Sequence, residues 1–172
     1  MTQTATRTRT RPACEGRSVL VLLGFLAATF VVAGLGSLAT LGAVDGWYVD
    51  AAKPPFNPPN AVFGPVWTVL YAAMAVAAWL VWRRRDAQPA EASTALRLWW
   101  VQLVVNLAWT PTFFGAELLW PGLVVIVVLD VLVAWTLLAN LRVSKVAAGL
   151  FVPYLAWVLF ATALNASIAY LN

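Results

Sequence analysis

Histidine is absent from the 172 residues, cysteine occurs once, at position 14, and only 10% of the side chains carry a charge. Each shortage excludes something. Without histidine there is no imidazole for acid–base catalysis and no axial histidine for a haem. With one cysteine there is neither a disulfide framework nor a Cys/His zinc site. Cys14 lies in a polar stretch and reads as a bystander thiol. A soluble domain carries about 25% charged residues, so the charge deficit points away from water. In its place stand 62% hydrophobic residues, ten tryptophans and a mean hydropathy of +0.81. This is the composition of an integral membrane protein forming one domain. The net charge of +4 comes from basic residues flanking apolar segments, where membrane topology accounts for it and nucleic-acid binding does not.

Residues 1–17 carry Arg7, Arg9, Arg11 and Arg17 against the single acid Glu15. They read as a disordered basic tail, a composition shared with organelle transit peptides. The remainder, 18–172, reads as one membrane domain. Apolar spans run over about 18–44, 61–82, 95–115, 119–141 and 146–171, each long enough for a bilayer core that needs about 20 helical residues. None alternates with the period of a membrane strand, so the fold class expected is an all-α bundle of five transmembrane helices. The polar linker 83–94 is expected outside the membrane. The short connections near 115–119 and 141–146 make their neighbours antiparallel. Arg7, Arg9, Arg11, Arg17, Arg83, Arg84, Arg85, Arg97, Arg142 and Lys145 fall on one side of such a bundle and only Lys53 on the other. The positive-inside rule then makes the N-terminus cytoplasmic and the C-terminus external.

Between the first two spans, residues 45–60 hold Trp47, Tyr48, Lys53 and prolines at 54, 55, 58 and 59. Prolines fix φ and remove backbone donors, so this loop continues neither helix and follows a stiff, extended path. A plain connector needs none of that, and the loop reads as a lid.

Tryptophan belongs at the membrane interface by default, which covers Trp47, Trp79, Trp82, Trp99, Trp100 and Trp120. Others sit deeper. At about 1.5 Å per residue, Trp67 and Trp109 lie roughly 9 Å below their helix ends. Phe63, Trp67 and Tyr71 share a helix face at i, i+4, i+8; Asn106, Trp109 and Phe113 share another; Tyr154, Trp157, Ala161 and Asn165 share a third. A tightly packed bundle with asparagines bonded between helices accounts for part of this pattern. The matched depths of the three faces favour a pocket for a flat apolar ligand. Asp130, the one acid deep within a span, reads equally as a ligand contact or proton-linked switch and as an interhelical hydrogen bond. Pro111 and Pro153 permit kinks, and Pro111 opens space beneath the loop. Gly24, Ala28, Gly34, Gly36 and Ala39 read as packing positions of the first span.

The chain resembles the TspO/translocator protein family of tryptophan-rich sensory proteins, which includes the peripheral benzodiazepine receptor. The likeness rests on Trp47, Tyr48, Lys53, Pro54, Phe56, Pro58, Pro59, Phe63, Val66, Trp67, Leu70 and Tyr71, on Asn106 to Gly115, and on Pro153 to Asn165. Ala51 stands where the family pattern has leucine. The resemblance implies a homodimer of five-helix bundles in a lipid bilayer, each enclosing a pocket capped by the first loop, with porphyrin as ligand and no required cofactor. By position it implies Trp67, Tyr71, Asn106, Trp109 and Trp157 as pocket residues, with Trp47, Lys53 and Pro54 above them. Mitochondrial relatives end in a tyrosine followed by a basic residue, a sterol motif; here Tyr170-Leu171-Asn172 lacks the base, which turns the reading from sterol to porphyrin and to a bacterial membrane. Three functions follow as expectations: a tetrapyrrole-binding sensor or regulator, a light-dependent porphyrin-degrading activity using Trp67 and Trp157, and a transporter of porphyrin or sterol-like amphipaths. The absence of an inverted repeat weighs against the last.

Overall fold

A computed structural model describes residues 12–44 and 46–172, with side chains from residue 16 onward. Every regular element among them is helical: α1 (Pro12–Val44), the single turn α2 (Trp47–Asp50), α3 (Asn60–Trp82), α4 (Pro89–Thr110), a π-helical turn (Pro111–Gly115), α5 (Leu119–Val143) and α6 (Lys145–Leu171). α1 packs on α3, α3 on α6, α6 on α5 and α5 on α4; α4 and the π turn return to α1 and close the ring.

Two of the expected bounds are corrected. α1 begins at Pro12, so positions 12–17 of the expected tail are helical; positions 1–11 lie outside the described residues. The linker 83–94 is non-helical only over 83–88, a run of turns, because Pro89 opens α4, where its missing N–H costs the first turn nothing. Among the described residues, four helices are long and apolar enough to cross a membrane, Gly16–Val44, Asn60–Trp82, Leu119–Val143 and Lys145–Leu171, and the remaining expected span falls on α4. α4 falls short of that apolarity because it carries Arg97, Gln102 and Asn106. It turns the last two inward, at 0% and 2% exposure, and shows Val101 and Val104 to the outside. A helix that buries amides and exposes valines is built for an apolar surround. Large exposed apolar residues cover the bundle, among them Leu20, Leu38, Val69 and Val124. The chain is a membrane protein.

Local chemistry fixes the ends. The α3 C-terminus is closed by arginines, with Arg83 over the Trp79 ring at 4.8 Å and Arg85 over Trp82 at 3.6 Å. Arg84 donates to the Val143 carbonyl at the end of α5, 2.9 Å away. Each places a cation where a helix macrodipole is negative. Ser144 alone separates α5 from α6, and its hydroxyl accepts the Ala147 N–H, so these two helices are tight antiparallel neighbours.

Trp99, expected at the interface, is instead 1% exposed. Its indole donates to the Met74 carbonyl at 3.0 Å, and Phe25 of α1 meets its ring edge-on at 5.1 Å. It cements α1, α3 and α4 near the arginine end of the bundle. Close by, the Trp79 indole donates to the Ser18 carbonyl at 2.9 Å and pins α3 to α1.

At the opposite, loop end, Tyr48 donates to Asn57 Oδ1 (3.1 Å) and Lys53 Nζ donates to the Val49 and Ala51 carbonyls (3.0 and 3.1 Å). Lys53 also lies 4.8 Å over the Tyr48 ring. Asn172 holds the loop from below: its amide accepts the Ala52 N–H and returns a bond to the Ala52 carbonyl, both at 3.0 Å. Stiff by its prolines and tied at both ends, the segment is an ordered strap.

Candidate functional site

Beneath α2, a cavity of about 500 Å³ lies among α1, α3, the π turn and α6, within the roughly 300–1,000 Å³ usual for small-molecule sites. The π turn shapes one wall. Pro111 has no N–H to give to the preceding turn, and the Ala116 N–H reaches back to the Pro111 carbonyl at 2.8 Å. This wider loop of backbone presents two adjacent phenylalanines, Phe113 and Phe114, to the cavity. Their rings meet edge-on at 4.8 Å.

α3 supplies the facing wall. Phe63, Trp67 and Tyr71 line it one turn apart, with the Trp67 and Tyr71 rings stacked at 5.4 Å. Trp157 of α6 meets Phe63 at 5.8 Å. Trp109 stacks on Phe113 at 5.9 Å, and its indole donates to Asn165 Oδ1 at 3.2 Å. The Asn165 amide in turn donates to the Leu119 carbonyl at 3.0 Å. Gly122 of α5 lets this pair sit close: a Cβ there meets Phe113 at 3.2 Å and Asn165 Oδ1 at 3.4 Å.

A polar ladder forms the floor. Tyr71 donates to Asn106 Oδ1 (2.7 Å), the Asn106 amide to the Tyr154 hydroxyl (3.0 Å), and Tyr154 to Gln102 Oε1 (2.9 Å). Asn106, Tyr154 and Gln102 are all but fully buried, and together they join α3, α4 and α6. Among the described residues, the walls hold no Asp, Glu, Lys or Arg. Ser37, Thr40 and Thr68 donate to carbonyls of their own helices at 2.9 Å each, which leaves their oxygen lone pairs, and not their protons, to the walls. Aromatic walls of this kind suit the face of a flat, largely apolar molecule.

Of the residues singled out from sequence, Phe63, Trp67, Tyr71, Trp109, Phe113, Trp157, Ala161 and Asn165 line the cavity together. Six stand elsewhere. Asn106 and Tyr154 lie in the floor ladder. Trp47 donates to the Phe114 carbonyl at 3.1 Å and braces the π turn from outside. Lys53 and the buried Pro54 belong to the strap, and residues 51–59 contribute nothing to the walls. Asp130 lies at the α5–α6 seam, where Oδ2 accepts the Thr162 hydroxyl at 2.8 Å and Oδ1 is buried without a partner.

Sequence reasoning missed the contribution of α1. Gly36, Ser37, Thr40 and Val44 line the cavity, with Tyr48 and Asn60 at the two ends of the strap. Gly36 was read as packing; it does approach Thr110, at 3.5 Å from its would-be Cβ, and it lines the cavity as well. The i, i+1, i+4 recurrence of small and hydroxyl residues at 36, 37 and 40 was the available signal.

The architecture defines a helical membrane protein with an aromatic-walled cavity at one end of its bundle. Residues 25–171 match the model of the TspO/MBR family, and the chain belongs to that family. It is 39% identical to the human "Translocator protein" over 143 residues, covering 83% of this chain and 85% of the relative. With "Tryptophan-rich protein TspO" of Chlorobaculum tepidum it shares 38% identity over 160 residues, 91% of this chain and 98% of the other. "Tryptophan-rich sensory protein" of Cereibacter sphaeroides is 41% identical over 144 residues, 82% and 88% of the two chains.

Proposed function

We propose that this protein binds a metal-free tetrapyrrole of the protoporphyrin type in the aromatic cavity and acts as a sensor or regulator of porphyrin levels. One observation carries the reading: the cavity of about 500 Å³ has walls of stacked indole, phenol and phenyl rings and, among the described residues, no charged side chain. Ring faces of that kind favour offset or edge contacts with a flat π-system. With no histidine in the chain, the macrocycle is held by stacking and by uncharged polar groups. Its carboxylates point toward the strap, where Lys53 uses two donors on backbone carbonyls and has a third to offer.

In this reading α4 also crosses the membrane, as the fifth span, its Gln102 and Asn106 shielded from lipid by the floor ladder. The arginine end is cytoplasmic, the strap external, the membrane bacterial, and two copies associate as a dimer. A light-dependent breakdown of porphyrin is the second reading. The observation that favours it is that Trp67 and Trp157 both stand in the cavity wall, with Trp67 stacked on Tyr71.

The test is a dark titration of the purified protein with protoporphyrin, followed by tryptophan quenching and repeated on Trp157→Phe and Trp67→Phe before and after illumination. Saturable binding weakened in both variants, with no new pigment in light, supports the sensor. Unchanged dark affinity with a photoproduct lost in the variants favours chemistry. Unsaturable quenching common to all three proteins removes porphyrin as the ligand.

A further inference from the structure

Some residues that line the cavity are also exposed on the outside of the bundle: Ser37 and Leu41 on α1, and Asn60, Gly64 and Thr68 on α3. A residue that is both marks a mouth. All five lie on the seam between the loop-end halves of α1 and α3. The other halves of the same two helices are fastened, with the Trp79 indole donating to the Ser18 carbonyl at 2.9 Å and hydroxyl at 3.1 Å. The seam is thus closed at the arginine end and parted beside the cavity.

The rim is apolar. Leu38 is 70% and Val69 67% exposed, on a surface that faces lipid in a bundle of this composition. Ser37 and Thr68 turn their hydroxyl protons onto Ala33 and Gly64 carbonyls, so an apolar body passing between them meets no unsatisfied donor. Gly64 leaves room: a Cβ there has nothing within 4 Å.

We propose that the cavity is loaded sideways from the bilayer, between the loop-end halves of α1 and α3, and that its ligands are molecules dissolved in the lipid phase. The proposal rests on the ligand-binding reading of the cavity and specifies where the ligand comes from. Tyr48 then caps the chamber from α2, and the strap need not open for entry.

Carbene labelling tests this without relying on porphyrin. The full chain is reconstituted in phosphatidylcholine vesicles containing 3-trifluoromethyl-3-phenyldiazirine, irradiated, and mapped by mass spectrometry. Wild type is expected to carry label on the cavity residues Trp67 and Tyr71 as well as on outward Val69. Gly64→Trp places an indole in the open mouth and is expected to abolish the label on Trp67 and Tyr71 while Val69 stays labelled. Gly149→Trp, at an equally open glycine away from the cavity, is expected to leave the wild-type pattern. Thr68→Trp serves as a second plug should Gly64→Trp not fold. Label on Val69 with none on Trp67 and Tyr71 in wild type overturns the proposal, and so does cavity label that survives both plugs. Adding protoporphyrin separates the two readings. If label enters and protoporphyrin does not displace it, sideways access stands and the porphyrin assignment falls; if protoporphyrin binds while the diazirine stays out, the reverse holds.

Discussion

Asn106 is the centre of the floor ladder, and its removal has a calculable cost. It accepts from Tyr71 at 2.7 Å and donates to Tyr154 at 3.0 Å, at 2% exposure. Interhelical hydrogen bonds in membrane proteins average about 0.6 kcal/mol and reach about 1.7. Two of them bracket the loss in Asn106→Ala at about 1.2–3.4 kcal/mol. The Tyr71 hydroxyl, left with a buried and unaccepted proton, moves the expectation to the upper half, about 2–3 kcal/mol. Tyr71→Phe breaks only the first bond and is expected to cost about 1 kcal/mol. Because the two variants share that bond, the double variant is expected to cost about 1 kcal/mol less than the sum of the singles. Equilibrium unfolding in mixed micelles with increasing SDS fraction, followed by far-ultraviolet circular dichroism, measures all three. An Asn106→Ala loss below about 0.5 kcal/mol, or strict additivity of the pair, refutes the ladder as a structural element.

Two further outcomes follow from the geometry. Gly122→Ala drives a Cβ to 3.2 Å from Phe113 and 3.4 Å from Asn165 Oδ1; it is expected to lose about 1–3 kcal/mol by overpacking, whereas Gly149→Ala, with nothing within 4 Å, holds or raises the melting temperature. At the strap, burial pushes the Tyr48 phenol above its ordinary value of 10.0. The folded protein then binds that proton more tightly than the unfolded chain, so strap stability is full below about pH 10 and falls as pH rises beyond it. The protection of amides in residues 47–57, taken relative to the base-catalysed intrinsic exchange rate, is expected to fall with alkaline pH in wild type, and Tyr48→Phe to flatten that fall while losing the bond to Asn57.

The helices were legible because apolar runs of membrane length leave the backbone one solution. Three of the expected spans end within two residues of their helices: 61–82 against Asn60–Trp82, 119–141 against Leu119–Val143, and 146–171 against Lys145–Leu171. Helical periodicity likewise gathered Phe63, Trp67 and Tyr71 on one wall. It did not separate wall from floor on the other helices. Asn106 and Trp109 share a face of α4, and Tyr154 and Trp157 are neighbours on α6, yet the first of each pair is bonded beneath the cavity and the second stands beside it. That division depends on how α3, α4 and α6 cross, which no single helix encodes. Pro111 marked a disturbance without saying which kind; the Ala116-to-Pro111 bond makes it a π turn that presents Phe114 to the cavity alongside Phe113. The role of α1 was hidden because glycine and serine suit packing as well as a cavity wall.

Under the proposed function the aromatic cavity holds one tetrapyrrole per chain. The most direct measurement is an absorbance titration of protoporphyrin into the protein in lipid nanodiscs, in the dark, against protein-free nanodiscs and against Trp67→Ala. The account predicts saturation at one porphyrin per chain above the lipid background, with affinity falling about tenfold in Trp67→Ala, the equivalent of about 1.4 kcal/mol of lost stacking and burial. Uptake that never saturates and is the same in wild type, Trp67→Ala and empty nanodiscs contradicts it.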